Sequence, residues 1–267
     1  MSLLYDACVA DNAELVRDLI DQRVDLNETN PDGYTALHIA CTLGHGQCAA
    51  LLIRAGANLR PSQLTGTSFF DDAPIYILRQ LAIELTAPRY VPGNANTGLV
   101  PLNLEFARAF ANRNVFRYRT ILGDGNCLFT SLSYFINTRR YIHPLARRYD
   151  AAAARKDICD YIIDLPSTDL LKSANAVEMP NGCMLDREWG DSTVIAAAAR
   201  KYRVRIIVMQ YAHAEIRGKL VDTIVAERIE PLDTSSITDV WFLRYIRRAH
   251  YDVFEWKKID PTDITSH

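Results

Sequence analysis

Ile121-Leu122-Gly123-Asp124-Gly125-Asn126-Cys127-Leu128-Phe129 is the stretch that decides how the rest of the chain is read. Two glycines within three residues make a turn open to unusual dihedrals. An apolar periodic run, Leu128, Phe129, Leu132, Phe135 and Ile136, begins just after it. Cys127 is therefore expected to open a helix that enters the core. The backbone N–H groups at such a terminus lack intrahelical partners and carry partial positive charge, which favours a thiolate. A free cysteine, with a pKa near 8.5, is only a few per cent thiolate at pH 7. A helix terminus and an imidazolium together can shift it by a unit or more, each unit being about 1.4 kcal/mol. The same N–H groups can take up the oxyanion of a tetrahedral intermediate.

A cysteine nucleophile needs a base. Of six histidines, His38 and His45 fall in a repeated front segment, His267 is the last residue, and His143 and His213 stand in no pattern. His250 is different. It follows the strand-like run Val240–Ile246 and a basic turn, and it opens His250-Tyr251-Asp252-Val253-Phe254. Residues i and i+2 of a strand share a face, so Asp252 projects beside His250, within reach of Nδ1. An acid there fixes the tautomer and stabilises the imidazolium. Tyr251 points the other way, towards packing, with substrate contact as its alternative role. Cys127, His250 and Asp252 follow one another in the order of papain-like enzymes. Helices are expected at 127–138, 144–164 and 191–202, and strands at 204–210, 221–227, 239–245 and 250–256. Helices first and strands later point to an α+β fold.

Asp124-Gly125-Asn126-Cys127-Leu128-Phe129 resembles the active-site motif of the OTU (ovarian tumour) deubiquitinases, a papain-like cysteine protease family. Glu188-Trp189-Gly190-Asp191 with the segment to Gln210 is similar to the family's central block, and Ala249-His250-Tyr251-Asp252 to its histidine motif. The three occur in the family's order over about 115–256. The resemblance implies hydrolysis of the (iso)peptide bond after the C-terminal glycine of ubiquitin, by a Cys127–His250–Asp252 triad through a thioester. It implies no cofactor and no metal. Asp124, which family descriptions place in the active site, would shape the loop of Gly125 and Asn126 that presents the oxyanion-hole amides. Trp189 and Gly190 are substrate-binding candidates, Gly190 by letting a narrow Gly-Gly tail pass; a helix-entry corner is their plainer role. Thr130 stands where the family often has a basic residue, which alters packing or substrate contacts. Arg244, Arg247 and Arg248 are read as a solvated face.

The front of the chain repeats. Ala7-Cys8 and Ala40-Cys41 are 33 apart, as are Leu19-Ile20 and Leu52-Ile53. Asp32-Gly33-Tyr34-Thr35-Ala36-Leu37-His38-Ile39-Ala40 resembles the ankyrin repeat, with Ala36 in place of its usual proline. Thr35 caps a short helix and His38 bonds within the turn. A third, worn copy keeps register, its second helix near Ile75–Leu85. From Thr86 to Asn103, Pro88, Pro92, Pro101, Gly93 and Gly98 read as linker. A short helix is expected over 103–112. The organisation expected is an all-α ankyrin array at 1–90, linker and lead-in helix at 91–112, and the protease domain at 113–267.

Composition agrees with two modules. The chain has 267 residues, a net charge of -2, 49% hydrophobic and 23% charged residues. Its mean hydropathy is -0.08. These values exclude a disordered chain and suggest neither a membrane span nor a nucleic-acid binder. Residues 1–60 hold four arginines against eight acids, an acidic front for a basic partner. That partner is expected to be ubiquitin or polyubiquitin, with docking of another protein on the repeats as the alternative. The six cysteines include no CxxC pair, which speaks against zinc. No basic leader precedes Arg17, so no signal peptide is expected, and the thiols are expected reduced in the cytoplasm, the cell's own or a host's. Cys8, Cys41, Cys48 and Cys159 read as structural, and Cys183 as a loop cysteine with no partner. Two other functions stay open at this point: a papain-like hydrolase of a ubiquitin-like protein or other amide, and a catalytically inert ankyrin binding protein.

Overall fold

The computed structural model describes residues 2–59, 64, 66, 69, 73–86, 99–101, 116–140, 149–173, 190–216, 219–246 and 250–256. The helix expected over 103–112 and the basic turn 247–249 lie outside them. The chain divides into two compact units, the first built mainly on Met1–Pro92 and the second on Tyr118–Glu255.

Among the described residues, Met1–Pro92 carries the helices α1 (Leu3–Val9), α2 (Ala13–Asp21), α3 (Ala36–Thr42), α4 (Gly46–Arg54), α5 (Ile75–Gln80) and α6 (Ala82–Leu85). Its period is written into the backbone. Asp11 and Gly44, Arg23 and Gly56, and Gly33 and Gly66 are pairs 33 apart, and all six have positive φ. Thr35 caps α3 through a reciprocal box: the His38 N–H donates to Thr35 Oγ1 and the Thr35 N–H to His38 Nδ1. His38 is thus a structural residue. Side-chain bonds tie successive copies: His45 Nδ1 donates to the Cys8 carbonyl at 2.7 Å, and Asn27 Oδ1 accepts the Asn58 N–H at 2.7 Å. Leu37, Ala40, Cys41, Ala49 and Leu52 are fully buried between them. Where one helix was expected at 75–85, the chain breaks at Leu81 into α5 and α6.

The second unit is α+β. Among the described residues, α7 (Cys127–Arg140), α8 (Ala151–Asp164) and α9 (Ser192–Tyr202) pack on a six-stranded sheet. The strands are β1 (Leu99–Pro101), β2 (Phe116–Arg119), β3 (Val204–Ile216), β4 (Lys219–Ile229), β5 (Asp239–Ile246) and β6 (His250–Trp256), in the order β1-β4-β3-β5-β6-β2. β3 pairs antiparallel with β4 and parallel with β5, and β5 antiparallel with β6. Val204, Ile206 and Val208 of β3, Trp241 and Leu243 of β5, and Val253 of β6 alternate onto the helix-covered face. Trp241 stacks on Phe135 of α7, centroids 5.3 Å apart and planes 8° from parallel. Asp191 caps α9 by accepting the Thr193 and Val194 N–H groups, and Ala197, Ala198 and Ala199 let that helix pack closely.

The differences from expectation have physical causes. Leu99–Pro101, read as linker from its prolines, forms an edge strand on β4, where a proline costs no interior ladder bond. β3 and β4 run past the expected ends at 210 and 227, paired from Ile206↔Ile229 to Ile216↔Lys219. α8 is described from Ala151, where Asp150 caps it by accepting the Ala153 N–H. Cys159 is disulfide-bonded rather than a free thiol. Cys183 lies outside the described residues.

Candidate active site

Two elements build the site: the loop running into α7 and the first three residues of β6. Gly125 has φ 87°, a left-handed conformation that favours glycine. Asp124 Oδ1 accepts the Asn126 N–H at 2.9 Å, closing the turn. The Asn126 carbonyl accepts the Thr130 N–H at 2.8 Å, so Asn126 caps α7 and Cys127 is its first residue. Cys127 is a free, buried cysteine. The N–H of Asn126, grouped by sequence with the oxyanion donors, is engaged by Asp124. The loop N–H groups of Gly125 and Cys127 are the remaining candidates.

On β6, His250 and Asp252 lie on the side opposite Tyr251 and Val253, which join the core. His250 Nε2 stands 3.0 Å from Asp252 Oδ1. The nitrogen facing the acid is therefore Nε2, not Nδ1. Side chains two apart on a strand start about 6.7 Å from each other, and the far end of the ring spans that gap where the near nitrogen cannot. Asp252 Oδ1 also accepts the Ile121 N–H at 2.9 Å, and the carboxylate is almost fully buried. One oxygen thus holds both the histidine and the start of the nucleophile loop. With Nε2–H donating to Asp252, Nδ1 is the basic nitrogen of the neutral ring. It faces the loop: a Cβ added to Gly123 would lie 3.6 Å from Nδ1.

The beginning of α7 is fastened to the same strand, Ser131 Oγ donating to the Tyr251 carbonyl at 3.3 Å. Tyr251 is half-buried with its ring 4.8 Å from that of Tyr245. Burial first, then Tyr245 and Cys127, push its hydroxyl above the ordinary tyrosine range. Its ring is on the core side, a packing position rather than a substrate-facing one. Gly190 serves close packing: a Cβ there would stand 2.6 Å from Leu128 Cδ2 and 3.2 Å from Phe129 Cε2. Trp189 lies outside the described residues. Arg244, expected on a solvated face, is half-buried and directly opposite Asp252 in register.

Three contributors were not singled out by sequence: the Ile121 N–H, Gly123, and Arg155 of α8, whose Nη2 donates to Asn126 Oδ1 at 2.8 Å. Arg155 had a signal. It falls on the apolar stripe with Ile158, Cys159 and Ile162, where a charge is out of place. The cysteines of the repeats, Cys8, Cys41 and Cys48, are all buried. Burial pushes the Cys8 thiol up to about 12 and the Cys48 thiol to about 11, and raises Cys41 as well. Among the described residues, no group of three or more His, Cys, Asp or Glu could hold a metal ion, and no helix is long and apolar enough to cross a membrane.

Residues 2–69 match the family model for ankyrin repeats in three copies. The chain is 35% identical over 60 residues to the mouse ankyrin repeat domain-containing protein 13B, a match covering 22% of this chain and 10% of that protein. The chain therefore spans only a small part of that relative's length. Its structural neighbours are OTU domains. The Hazara virus OTU, solved bound to ubiquitin, matches with TM-score 0.39 and 16% identity, covering 55% of this chain and 84% of that one. The OTU deubiquitinase of Wolbachia pipientis, also solved bound to ubiquitin, matches with TM-score 0.38 and 14% identity, over 54% and 97%. These likenesses are distant, and the assignment of chemistry rests on the chain's own geometry.

Proposed function

We propose that the protein is a deubiquitinating cysteine protease with Cys127 as nucleophile, His250 as base and Asp252 as its orienting acid. The observation that carries this is the imidazole held at Nε2 by Asp252, with Nδ1 turned to the loop that ends in Cys127. Ubiquitin as the substrate is what the resemblance of the Asp-Gly-Asn-Cys and Ala-His-Tyr-Asp motifs to those of OTU deubiquitinases implies.

Cys127 gives its proton to His250 Nδ1, and the thiolate attacks the carbonyl carbon of ubiquitin's terminal glycine. The developing oxyanion is bonded by the Gly125 and Cys127 N–H groups. As the C–N bond breaks, Nδ1 hands the proton to the departing lysine amine, leaving a thioester. Water then attacks that carbonyl, giving a proton to Nδ1. The C–S bond breaks, ubiquitin leaves with a free carboxylate, and the thiol is restored. Asp252 stabilises the imidazolium at each stage.

We assign the chemistry to the region 113–267 and a docking role to the acidic repeats at 1–90, whose charge suits the basic face of ubiquitin. The cytosol, the cell's own or a host's, is the proposed location. The test is cleavage of purified ubiquitin chains by the full chain and by Cys127→Ala. Release of mono-ubiquitin by the wild type alone is the expected result. Chains left intact by the wild type would overturn the proposal.

A further inference from the structure

Arg155 is a guanidinium almost fully buried in the core of the second unit. Its Cζ lies 3.9 Å from the centroid of the Phe129 ring. Its Nη2 donates to Asn126 Oδ1 at 2.8 Å. Asn126 is thereby held through its side chain as well as through its N–H on Asp124 and its carbonyl under Thr130. Asn126 and Phe129 flank Cys127, so Arg155 grips the start of α7 on both sides of the nucleophile. Burying a cation is costly without bonded partners, and an apolar side chain would fill the same stripe. The bond from Arg155 Nη2 leads to the loop that ends in Cys127.

We propose that Arg155 is a positioning residue: through Asn126 it fixes the first turn of α7, and with it the direction of the N–H groups that meet the oxyanion. This rests on the protease reading. A preset donor array acts on the tetrahedral state and not on substrate capture, so its loss falls on kcat.

The experiment uses the full chain with a ubiquitin C-terminal fluorogenic amide, comparing wild type, Arg155→Met, Arg155→Lys, Asn126→Ala and the Arg155→Met/Asn126→Ala double variant. Arg155→Met is expected to lower kcat about tenfold or more with little change in KM. The limiting rate of Cys127 alkylation by iodoacetamide at high pH, where any thiol is ionised, should stay within about twofold of wild type, since that reaction forms no oxyanion. The double variant should be no worse than the poorer single, because both break one contact. Arg155→Lys keeps the charge and the stem against Phe129; it should melt like wild type and recover part of kcat. Should the Met variant fail to fold, the Lys variant replaces it in the cycle with Asn126→Ala. Losses that multiply in the double variant, or kcat and alkylation falling together in step with melting temperature, would overturn the inference. A wild type inert on the amide would instead sink the protease reading itself.

Discussion

Replacing Asp252 tests the site most sharply on energetic grounds, because its Oδ1 accepts from both His250 Nε2 and the Ile121 N–H. Asp252→Ala removes both bonds. The buried Ile121 N–H is left without its acceptor, costing about 1–3 kcal/mol of stability. The imidazolium loses a charge-assisted bond of about 1.5–3 kcal/mol, a fall in kcat of roughly 10- to 150-fold. Asp252→Asn behaves differently. Both bonds land on one oxygen, and an amide oxygen in that place accepts both. The reverse amide orientation would point N–H groups at two donors, so the Ile121 N–H locks the productive one. The Asn variant loses only the charge, about 1 kcal/mol of the bond, or roughly fivefold in kcat. The assay is kcat and KM on a ubiquitin C-terminal fluorogenic amide, with urea denaturation of the same samples. Expected order in both is wild type, Asn, Ala. Equal, near-wild-type kcat for Ala and Asn would refute the orienting role and move it to another residue.

Other outcomes rest on the same geometry. Gly123→Ala meets only ordinary contact at 3.6 Å from Nδ1, so it should fold as well as wild type while its methyl covers the basic nitrogen, lowering kcat about tenfold or more; an unchanged kcat would show that the leaving amine reaches His250 from elsewhere. Gly190→Ala drives a methyl to 2.6 Å from buried Leu128, which should cost about 1–3 kcal/mol in urea denaturation; a wild-type midpoint would contradict the close packing. Cys8, raised from 9.0 to about 12, and Cys48, raised to about 11, are ionised more readily in the unfolded chain than in the fold. Stability of the repeats is therefore complete below pH 9 and falls as pH rises towards 12. Circular dichroism melts across that range should show it; constant stability would argue against burial of these thiols.

The parts legible in the sequence are those set by local chemistry. The 33-residue period announces the repeats because each copy needs the same turn and the same inward apolar residues. The turn before Cys127 is legible because a glycine pair and an apolar stripe meet there. The parts that were not legible depend on partners far along the chain. Ala212-His213-Ala214-Glu215 has no β-branched or aromatic residue to mark a strand, yet it pairs with Thr223, Asp222, Val221 and Leu220 because backbone bonding sets that register. β1 and β2 are too short to show a period. The pairing of His250 with Asp252 follows from strand alternation, but which ring nitrogen faces the acid depends on reach across the pleat. The bond from Ile121 to Asp252 joins residues 131 positions apart. Arg155 left a trace as a charge in an apolar stripe, though its destination at Asn126 is visible only in three dimensions.

The proposed mechanism stands on Cys127 as the thiol that attacks ubiquitin's terminal carbonyl. Its most direct test is incubation of the full chain with ubiquitin carrying a C-terminal electrophile, followed by peptide mapping of the adduct. One ubiquitin should be attached at Cys127, absent from Cys127→Ala and strongly slowed in His250→Ala. An unlabelled wild type, or ubiquitin attached at any other cysteine, would contradict it.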